Sequence, residues 1–390
     1  MSDPSTYAFT REELERRRSE HRLRELRELE PGRTAATVRM EGKTFLNFSS
    51  NDYLGLSRHP LLAERAADYA RRWGAGATAS RLVTGSYAAH RELEEKLAAF
   101  FGREACLLFN SGFQANSSLV GSLTTRHSTV ICDRLGHNSL LQGSLASRAR
   151  LRRFEHNDPA SLERELRRAG EEDPDRILIL TESIFSMDGD RAPLAEMAGL
   201  ARKYGAMLFA DDAHATGAWG EGGRGVAPGV DGIDLVLGTF GKAFGCFGAY
   251  LLCSADMKEY LVNVCPGFIY TTALPPPVLG AIDAALELMP GLEDERARLH
   301  RHARRLREVL QELGCETGAS DTQIVPLVTG SEQSALQLAG RLEEGGVLAP
   351  AIRPPTVPDD ASRIRFSLSS AHEEEHLDHL LALIGEWKDG

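Results

Sequence analysis

Short apolar runs alternate with amphipathic segments along residues 106–253, and this alternation restricts the fold more than any other feature. The apolar runs are typical of buried strands, and the segments between them carry apolar residues at helical spacing. The predicted strands are 106–110, 129–133, 177–183, 206–211, 235–240 and 248–253. The predicted helices between them are 113–124, 138–146, 159–169 and 193–204. This order predicts an α/β fold with a mostly parallel sheet flanked by helices.

The chain on either side of this alternation has a different pattern. Arg, Glu and Leu dominate residues 11–30, which predicts a charged N-terminal helix with a mostly solvated surface. Further helices are predicted at 59–73, 88–101, 278–289, 292–313 and 373–387. The predicted domains are an N-terminal helical arm (1–45), a large α/β domain (46–290) and a small C-terminal α+β domain (291–390).

The composition argues against several classes of protein. The chain has 390 residues, of which 42% are hydrophobic and 26% charged, as is typical of a soluble globular protein. Its formal net charge of −11 argues against a nucleic-acid partner, because phosphate binding needs a basic surface. No apolar stretch is long enough to span a bilayer, and Met1–Pro4 lack the basic start of a secretory signal. The six cysteines form no C-x-x-C pair, so we expect a cytoplasmic protein with reduced thiols.

Polar residues follow most of the predicted strands, at the point where each strand ends. They are Asn110-Ser111-Gly112, Asp133, Thr181-Glu182-Ser183, Asp211 and Lys242. Ligands of parallel α/β sheets bind beyond the carboxyl ends of the strands. A lysine in a glycine-rich loop can form a Schiff base, and an aspartate can pair with a protonated ring nitrogen. These are the protein groups that pyridoxal phosphate (PLP) chemistry requires.

Each of these residues also has a structural interpretation. Most lysines are surface charges, but Lys242 lies in a glycine-rich loop directly after a buried strand, which favours the catalytic interpretation. Asp211 and Asp212 could cap the following turn, and spacing alone does not choose which of them would hold a ring nitrogen. His214 could reach the ring hydroxyl, and His137 could stack on a flat ring or simply cap a helix.

The turn at Ser111-Gly112-Phe113 opens a predicted helix, and the backbone N–H groups of a helix N-terminus bind phosphate well. Ser183, Ser186 and Thr239 are candidate hydroxyl donors to the same ligand, although ordinary turn chemistry explains each of them equally well.

Two other motifs do not indicate a function of their own. The glycines of 220–225 lack the helix that follows a dinucleotide fingerprint. His372-Glu373-Glu374-Glu375-His376 matches the H-E-x-x-H zinc pattern, but the sequence offers no evident third ligand, so we predict no metal.

Together these motifs resemble those of the α-oxoamine synthases, which are PLP-dependent enzymes of fold type I that join an amino acid to an acyl thioester. The resemblance covers about residues 15–388 and rests on four stretches in the same order: Leu46–Leu56, Thr181–Asp190, Asp211–His214 and Thr239–Lys242. It implies the PLP-dependent transferase fold, with a smaller α+β C-terminal lobe.

The resemblance also implies roles for individual residues. Lys242 would hold PLP as a Schiff base, and Asp211 rather than Asp212 would pair with the pyridine nitrogen, because the family's aspartate stands three residues before the histidine. His214 would contact the ring hydroxyl and His137 would stack on the ring; these four residues are the implied catalytic set. The other implied cofactor residues are Gly112, Phe113, Ser186 and Thr239. The implied substrate residues are Arg24, Asn51, His137, Arg353 and Thr356, with Arg353 suited to bidentate carboxylate binding.

Two further segments, Phe268–Pro276 and Ala351–Pro358, are similar to those of the family member that condenses L-alanine with a pimeloyl thioester in biotin synthesis. The resemblance therefore implies a decarboxylating acyltransferase, a homodimer, and an acyl donor carried by acyl carrier protein or coenzyme A. Relatives of the glycine C-acetyltransferase and 5-aminolevulinate synthase types are the nearest alternative, and a PLP-binding protein without catalysis is a more distant one. Ala77-Thr78-Ala79 and Ala215 stand where members of the family frequently have glycine. The resemblance therefore does not determine the width of the acyl channel.

Overall fold

The structure is a computed structural model that describes residues 6–389, in which short strands and helices alternate along most of the chain. Met1–Pro4, on which the expected absence of a signal peptide rests, and Gly390 lie outside the described residues. No described helix combines the length and the apolar character needed to cross a membrane.

The bounds of the elements in the described residues are as follows. The α-helices are α1 (Ala8–Ser19), α2 (Pro60–Trp73), α3 (Ala88–Phe101), α4 (Gly112–Leu123), α5 (Asn138–Ala146), α6 (Pro159–Glu171), α7 (Leu194–Tyr204), α8 (Ala255–Val264), α9 (Pro266–Ile269), α10 (Pro276–Leu288), α11 (Glu293–Glu312), α12 (Glu332–Glu344) and α13 (Glu374–Asp389). The strands are β1 (Glu30–Pro31), β2 (Thr37–Met40), β3 (Lys43–Asn47), β4 (Ala105–Phe109), β5 (Thr129–Asp133), β6 (Arg150–Phe154), β7 (Ile177–Glu182), β8 (Met207–Asp211), β9 (Leu235–Thr239), β10 (Ala249–Cys253), β11 (Ile324–Gly330), β12 (Val347–Leu348), β13 (Ala351–Ile352) and β14 (Ser362–Ser367).

The larger of two compact units comprises Asn51–Ser186 and Asp190–Arg298. Its seven-stranded sheet has the order β4-β10-β9-β8-β7-β5-β6. β10 runs antiparallel to both of its neighbours, and the other pairs are parallel. All strands of this sheet except β10 therefore point the same way, and their carboxyl ends lie along one edge. The predicted fold, a mostly parallel sheet flanked by helices, is confirmed.

The six predicted strands of this sheet are observed, and their ends differ from the prediction by one residue at most. The sequence analysis missed β6, whose sequence Arg-Leu-Arg-Arg-Phe carries three arginines in five residues. β6 is an edge strand, which pairs on one side only and tolerates charged side chains that a central strand could not bury. A hydrophobic pattern therefore finds the central strands more readily than the edge.

The core of this unit lies between the sheet and the helices that cover it. Leu119 of α4, Leu178 of β7, Phe209 of β8 and Leu251 of β10 are fully buried in one cluster. Burying an aliphatic or aromatic side chain of this size stabilises the fold by about 1.5–3 kcal/mol. The continuous apolar runs of these strands are explained by burial on both faces of the sheet.

Gly238 of β9 makes room for an aromatic side chain on the neighbouring strand. Gly238 pairs with Tyr250 of β10, and a Cβ added at Gly238 would lie 2.2 Å from the Tyr250 ring. The Tyr250 hydroxyl is hydrogen-bonded to Thr216 Oγ1 at 2.8 Å, and its ring stacks on Phe101. This packing fixes β9 just before the chain reaches Lys242.

The smaller unit comprises the described residues up to Ser50, Met187–Gly189 and the described residues from Leu299 onwards. It contains a sheet of order β1-β2-β3-β12 and an antiparallel sheet of order β11-β14-β13, and α12 packs on the second sheet. The expected smaller α+β lobe is therefore present. The domain boundaries drawn from the sequence stay a prediction.

The predicted N-terminal helix over 11–30 is wrong in its extent, because α1 spans Ala8–Ser19 and the next ten residues form no regular element. The helix buries no residue, and its arginines pair with glutamates on the same helix, as Arg16 does with Glu13 and Glu20 at 2.8 Å. Without an apolar face to pack, such a helix is stabilised only by weak exposed ion pairs and ends early.

The H-E-x-x-H motif has a packing role in the smaller unit. The buried His372 stacks on Phe48 with ring centroids 4.1 Å apart, and burial lowers its pKa to about 3. Its Nδ1 accepts the N–H of Ser369 at 3.0 Å, and its Nε2 lies 3.1 Å from the carbonyl of Asn47. Both ring nitrogens are thus engaged, and the described residues contain no cluster of three or more metal-binding side chains.

Candidate active site

The carboxyl edge of the large sheet brings most of the predicted site residues together. Glu182 ends β7 and pairs directly with Asp211, the last residue of β8. On the other side, Ala249 of β10 pairs with both Thr239 of β9 and Phe109 of β4. The chain segments that follow β4, β7, β8 and β9 therefore begin along one edge, as the sequence analysis predicts.

Two neighbouring aspartates point in opposite directions. Asp211 is 6% exposed, and its Oδ2 accepts from Asn116 Nδ2 at 2.7 Å while its Oδ1 accepts the Ala213 N–H at 3.0 Å. Asp212 is fully buried, and its Oδ1 accepts the Ala227 N–H at 3.1 Å. Burial raises the pKa of Asp212 to about 7. Asp212 is thus occupied in fixing the 225–227 loop, whereas Asp211 is held on the side of α4.

His214 is linked to the segment that opens the large unit. Its Nδ1 lies 2.6 Å from the hydroxyl of Tyr53, which is fully buried. The same hydroxyl donates to Asn51 Oδ1 at 3.2 Å. Asn51, which the resemblance implies as a substrate residue, and His214, implied as a cofactor residue, are therefore joined through one tyrosine. The sequence analysis assigned no role to Tyr53.

The loop that carries Lys242 is fastened at both ends. Thr239 Oγ1 donates to the carbonyl of Gly248 at 3.0 Å and accepts the Gly241 N–H at 3.2 Å. Gly245 has a φ of +64°, and a Cβ there would lie 2.3 Å from the backbone nitrogen of Ser57. Only glycine fits this left-handed position against the neighbouring backbone. Lys242 is half-buried in the middle of this fixed turn.

The first turn of α4 supplies backbone donors. Ser111 caps the helix, because its Oγ accepts the Gln114 N–H at 3.2 Å. The N–H groups of Gly112 and Phe113 belong to the first turn, where an α-helix offers no internal acceptor. Phe113 is 53% exposed, and a Cβ added at Gly112 would meet only Leu237 Cδ2, 3.8 Å away. This turn is suited to an anion such as a phosphate.

His137 precedes α5 and is held by a buried carboxyl group. Its backbone N–H donates to Glu182 Oε1 at 2.7 Å. Burial raises the pKa of Glu182 well above its ordinary value; the charge of Asp211 also raises it, and the charge of Lys242 opposes the shift. The protein atoms around its ring lower the pKa of His137, although the residue is exposed. The charge of Asp211 opposes this shift, and the charge of Lys242 adds to it.

Ser186 is 9% exposed and lies in the segment after β7. The imidazole of His156, here called the histidine clamp, holds this segment. His156 Nδ1 lies 3.0 Å from Asp133 Oδ1, and its Nε2 lies 2.9 Å from Asp190 Oδ2. The Phe185 N–H donates to the carbonyl of Asp190 at 3.0 Å, which closes the segment into a loop. His156, which follows β6, thus links Asp190 of this loop to Asp133 at the end of β5.

Arg24, Arg353 and Thr356 belong to the smaller unit, where they line one open cavity of about 760 Å³. Arg24 Nη2 donates to Thr356 Oγ1 at 2.9 Å, and Arg353 donates to the carbonyl of Leu23 at 3.2 Å. Burial lowers the pKa of Arg353, and the nearby charge of Arg24 lowers it further. Among the described residues, neither guanidinium forms an ion pair with a carboxylate.

The chain belongs to the aminotransferase class I and II family of PLP-dependent fold type I enzymes, whose sequence profile matches residues 43–384. It is 50% identical over 354 residues to the 8-amino-7-oxononanoate synthase of Gluconacetobacter diazotrophicus, covering 89% of each chain. The serine palmitoyltransferase of Sphingomonas wittichii superposes with a TM-score of 0.91 at 28% identity, over 99% of this chain and 98% of that one. The 8-amino-7-oxononanoate synthase of Francisella tularensis superposes with a TM-score of 0.77 at 26% identity, over 88% and 98%. The predicted family, fold class and enzyme class are confirmed.

The predicted cofactor, PLP, is confirmed by this family membership and by the similar serine palmitoyltransferase structures that contain PLP. The residues of the site fit such a cofactor. Asp211 offers a buried carboxylate for a ring nitrogen, Lys242 an amine for an aldehyde, and the first turn of α4 donors for a phosphate.

Sequence reasoning missed several polar residues that support the site. Asn116 and Ser139 lie on the buried faces of α4 and α5, and the clamp residue His156 follows the unrecognised strand β6. A polar residue at a helical core position, such as Asn116 between Ala115 and Leu119, is a usable signal, because buried polar groups need partners. His156 offered no such signal, because its neighbours along the chain are polar.

Proposed function

We propose that this enzyme catalyses the decarboxylative condensation of L-alanine with a pimeloyl thioester, giving 8-amino-7-oxononanoate for biotin synthesis. PLP supplies an aldehyde that captures the amine of the amino acid and a ring that accepts electrons from the carbanion. Lys242 holds the cofactor at rest and moves the proton at the α-carbon of the substrate. Asp211 keeps the ring nitrogen protonated, and His137 covers the ring face.

The remaining cofactor roles follow the arrangement of the carboxyl edge. Gly112 and Phe113 donate backbone N–H groups to the phosphate, and Thr239 and Ser186 line the same site. His214 contacts the ring hydroxyl, and Tyr53 holds the imidazole of His214 in place through the 2.6 Å hydrogen bond. Asn51 and His137 meet the substrate.

The observation that carries the choice of acyl donor is the cavity of the smaller unit. Its wall is apolar at Leu336, Leu348 and Ile352, and it also contains two guanidiniums without carboxylate partners among the described residues. An acyl chain that ends in a carboxylate matches both features, because its methylenes suit the wall and its charge suits Arg24 and Arg353. An acetyl group would use neither feature.

The test is product identification by mass spectrometry after incubation of the PLP-loaded enzyme with alanine and a pimeloyl thioester. We expect 8-amino-7-oxononanoate, carbon dioxide and the free thiol of the acyl donor, and no product from Lys242→Ala. Parallel reactions with glycine and with acetyl or succinyl thioesters cover the glycine C-acetyltransferase and 5-aminolevulinate synthase alternatives. A faster reaction with any of those pairs would refute the proposed substrates.

A matched pair of variants tests the carboxylate site. Arg24→Leu removes a guanidinium that has no carboxylate partner in the described residues, whereas Arg27→Leu removes one from the same cavity that already pairs with Glu343. We expect Arg24→Leu to raise KM for the pimeloyl thioester at least about tenfold, the effect of losing one charged hydrogen bond, and to leave KM for alanine unchanged. Equal effects of the two variants would contradict the assignment.

We also propose a homodimer in the cytoplasm that accepts its acyl group from acyl carrier protein or coenzyme A. Large apolar side chains are exposed on the large unit, namely Leu82, Val83, Phe113, Phe247 and Tyr270. Exposed apolar side chains of this size favour burial against a second copy. Light scattering should give twice the chain mass, and Val83→Glu should lower it if this surface forms the interface.

A further inference from the structure

A chain of hydrogen bonds connects Asp211 with His137 through two buried side chains of the large unit. Asn116 of α4 is 1% exposed, and Ser139 of α5 is fully buried. Asn116 Nδ2 lies 2.7 Å from Asp211 Oδ2 and 2.9 Å from Ser139 Oγ. Ser139 Oγ lies 2.7 Å from His137 Nδ1. Neither Asn116 nor Ser139 was among the predicted site residues.

The direction of each hydrogen bond in this chain follows from the chemistry of its members. A carboxylate only accepts, so Asn116 must turn its NH₂ group towards Asp211. The second proton of that NH₂ group is donated to Ser139 Oγ, so the hydroxyl of Ser139 has its own proton left to donate. The acceptor within reach of that proton is Nδ1 of His137.

A second donor points at the same nitrogen. The backbone N–H of Ser139 lies 3.3 Å from His137 Nδ1, in the capping arrangement at the start of α5. A ring nitrogen that receives two donors carries no proton itself. In a neutral imidazole the proton is then on Nε2. The pKa of His137, which the protein atoms around its ring lower, agrees with a neutral ring at physiological pH.

We propose that Asn116 and Ser139 are positioning residues that hold His137 as the neutral tautomer with its proton on Nε2. The ring then presents an N–H donor, which suits an oxygen atom of the substrate such as a carboxylate or carbonyl oxygen. This last step rests on the proposed role of His137 in substrate binding, whereas the tautomer itself does not. The Oδ1 atom of Asn116 is buried without a hydrogen-bond partner among the described residues, which costs free energy of folding. Such a cost is expected where the amide is needed in one orientation.

The tautomer can be read directly from ¹H–¹⁵N spectra of the holoenzyme with ¹⁵N-labelled histidine rings. The resonances of His137 are assigned by their loss in His137→Gln. We expect the wild type at neutral pH to show Nδ1 without a proton and Nε2 with one. In Asn116→Ala the Ser139 hydroxyl is free to accept, so a population with the proton on Nδ1 should appear. Ser139→Ala is a second variant with the same expected direction.

Two control variants separate positioning from general damage. Ser139→Thr keeps the hydroxyl and should keep the wild-type spectrum, and Ser117→Ala removes a neighbouring α4 hydroxyl that has no hydrogen-bond partner among the described residues. In kinetics with alanine and pimeloyl thioester, Asn116→Ala should lower kcat/KM about tenfold and move the acid limb of its pH profile, and Ser117→Ala should do neither. A wild-type spectrum with the proton on Nδ1, or an unchanged spectrum in Asn116→Ala, overturns the inference. Failure to form the proposed product with the expected spectra would instead refute the substrates and leave the tautomer intact.

Discussion

Stability should depend on pH through His156, which lies between two carboxylates of the large unit. Burial alone would lower the pKa of His156, but its hydrogen bonds and charge interactions with Asp133 and Asp190 outweigh burial. The result is a pKa raised from 6.5 to about 10. The imidazole side chain is 20% exposed, so solvent weakens these interactions only partly. The folded protein should therefore keep His156 protonated at a pH where the unfolded chain has lost that proton.

The sign and size of this pH dependence follow from the linkage between proton binding and folding. Between pH 6.5 and pH 10 the folded state binds one more proton than the unfolded state, so the free energy of unfolding falls as the pH rises. The stabilisation is complete below the unfolded pKa and is lost as the pH passes the folded one. The slope is at most about 1.4 kcal/mol per pH unit, or about 3 kcal/mol between pH 7 and pH 9.

The assay compares urea unfolding of the wild type and His156→Gln at pH 7, 8 and 9, at one protein concentration. Taking the difference between the two proteins cancels the titration of every group that they share. We expect the stability advantage of the wild type over His156→Gln to shrink with rising pH. A difference that stays constant from pH 7 to pH 9 would refute the doubly paired histidine.

Three glycine substitutions give further expected outcomes. Gly245→Ala places a Cβ 2.3 Å from Ser57 N at a φ of +64°, so we expect a loss of about 1–3 kcal/mol and weaker PLP absorbance. Gly238→Ala places a Cβ 2.2 Å from the Tyr250 ring and should lower the thermal midpoint more, or prevent soluble expression. The added Cβ of Gly170→Ala in α6 meets no atom within 4 Å. This variant should raise the free energy of unfolding by about 0.5–1 kcal/mol, measured by thermal denaturation.

The central part of the fold could be predicted because its strands are apolar throughout and its helices have one apolar face. The residues of β5 are all buried, and α5 begins and ends where the sequence analysis placed it. The strand that was missed in the large sheet and the N-terminal helix whose extent was misjudged lie at the surface. β6 is an arginine-rich edge strand and α1 buries nothing, so no hydrophobic period marks either of them.

In the candidate site, too, the sequence pattern marks some residues and not others. Residues at strand ends, such as Asp211 and Lys242, could be predicted as site residues because the α/β pattern fixes which end of each strand faces the ligand. The choice of Asp211 over Asp212 came from the resemblance and stays a prediction. The two carboxyl groups have different partners, because successive residues of an extended chain face opposite sides. The supporting contacts of Asn116 and His156 join segments far apart in the sequence, which spacing along one chain does not reveal.

The carboxyl edge concentrates buried acids, namely Asp133, Glu182, Asp190, Asp211 and Asp212. Five uncompensated charges could not be buried together, so each must be paired or neutral. His156 pairs with two of these acids, burial raises the pKa of Glu182 and Asp212 towards the neutral form, and Asn116 donates to the fifth. Asp211 accepts hydrogen bonds from two neutral donors, the side-chain amide of Asn116 and the backbone N–H of Ala213. These two donors fix the direction of the carboxyl group, which suits it to hold a cationic ring nitrogen.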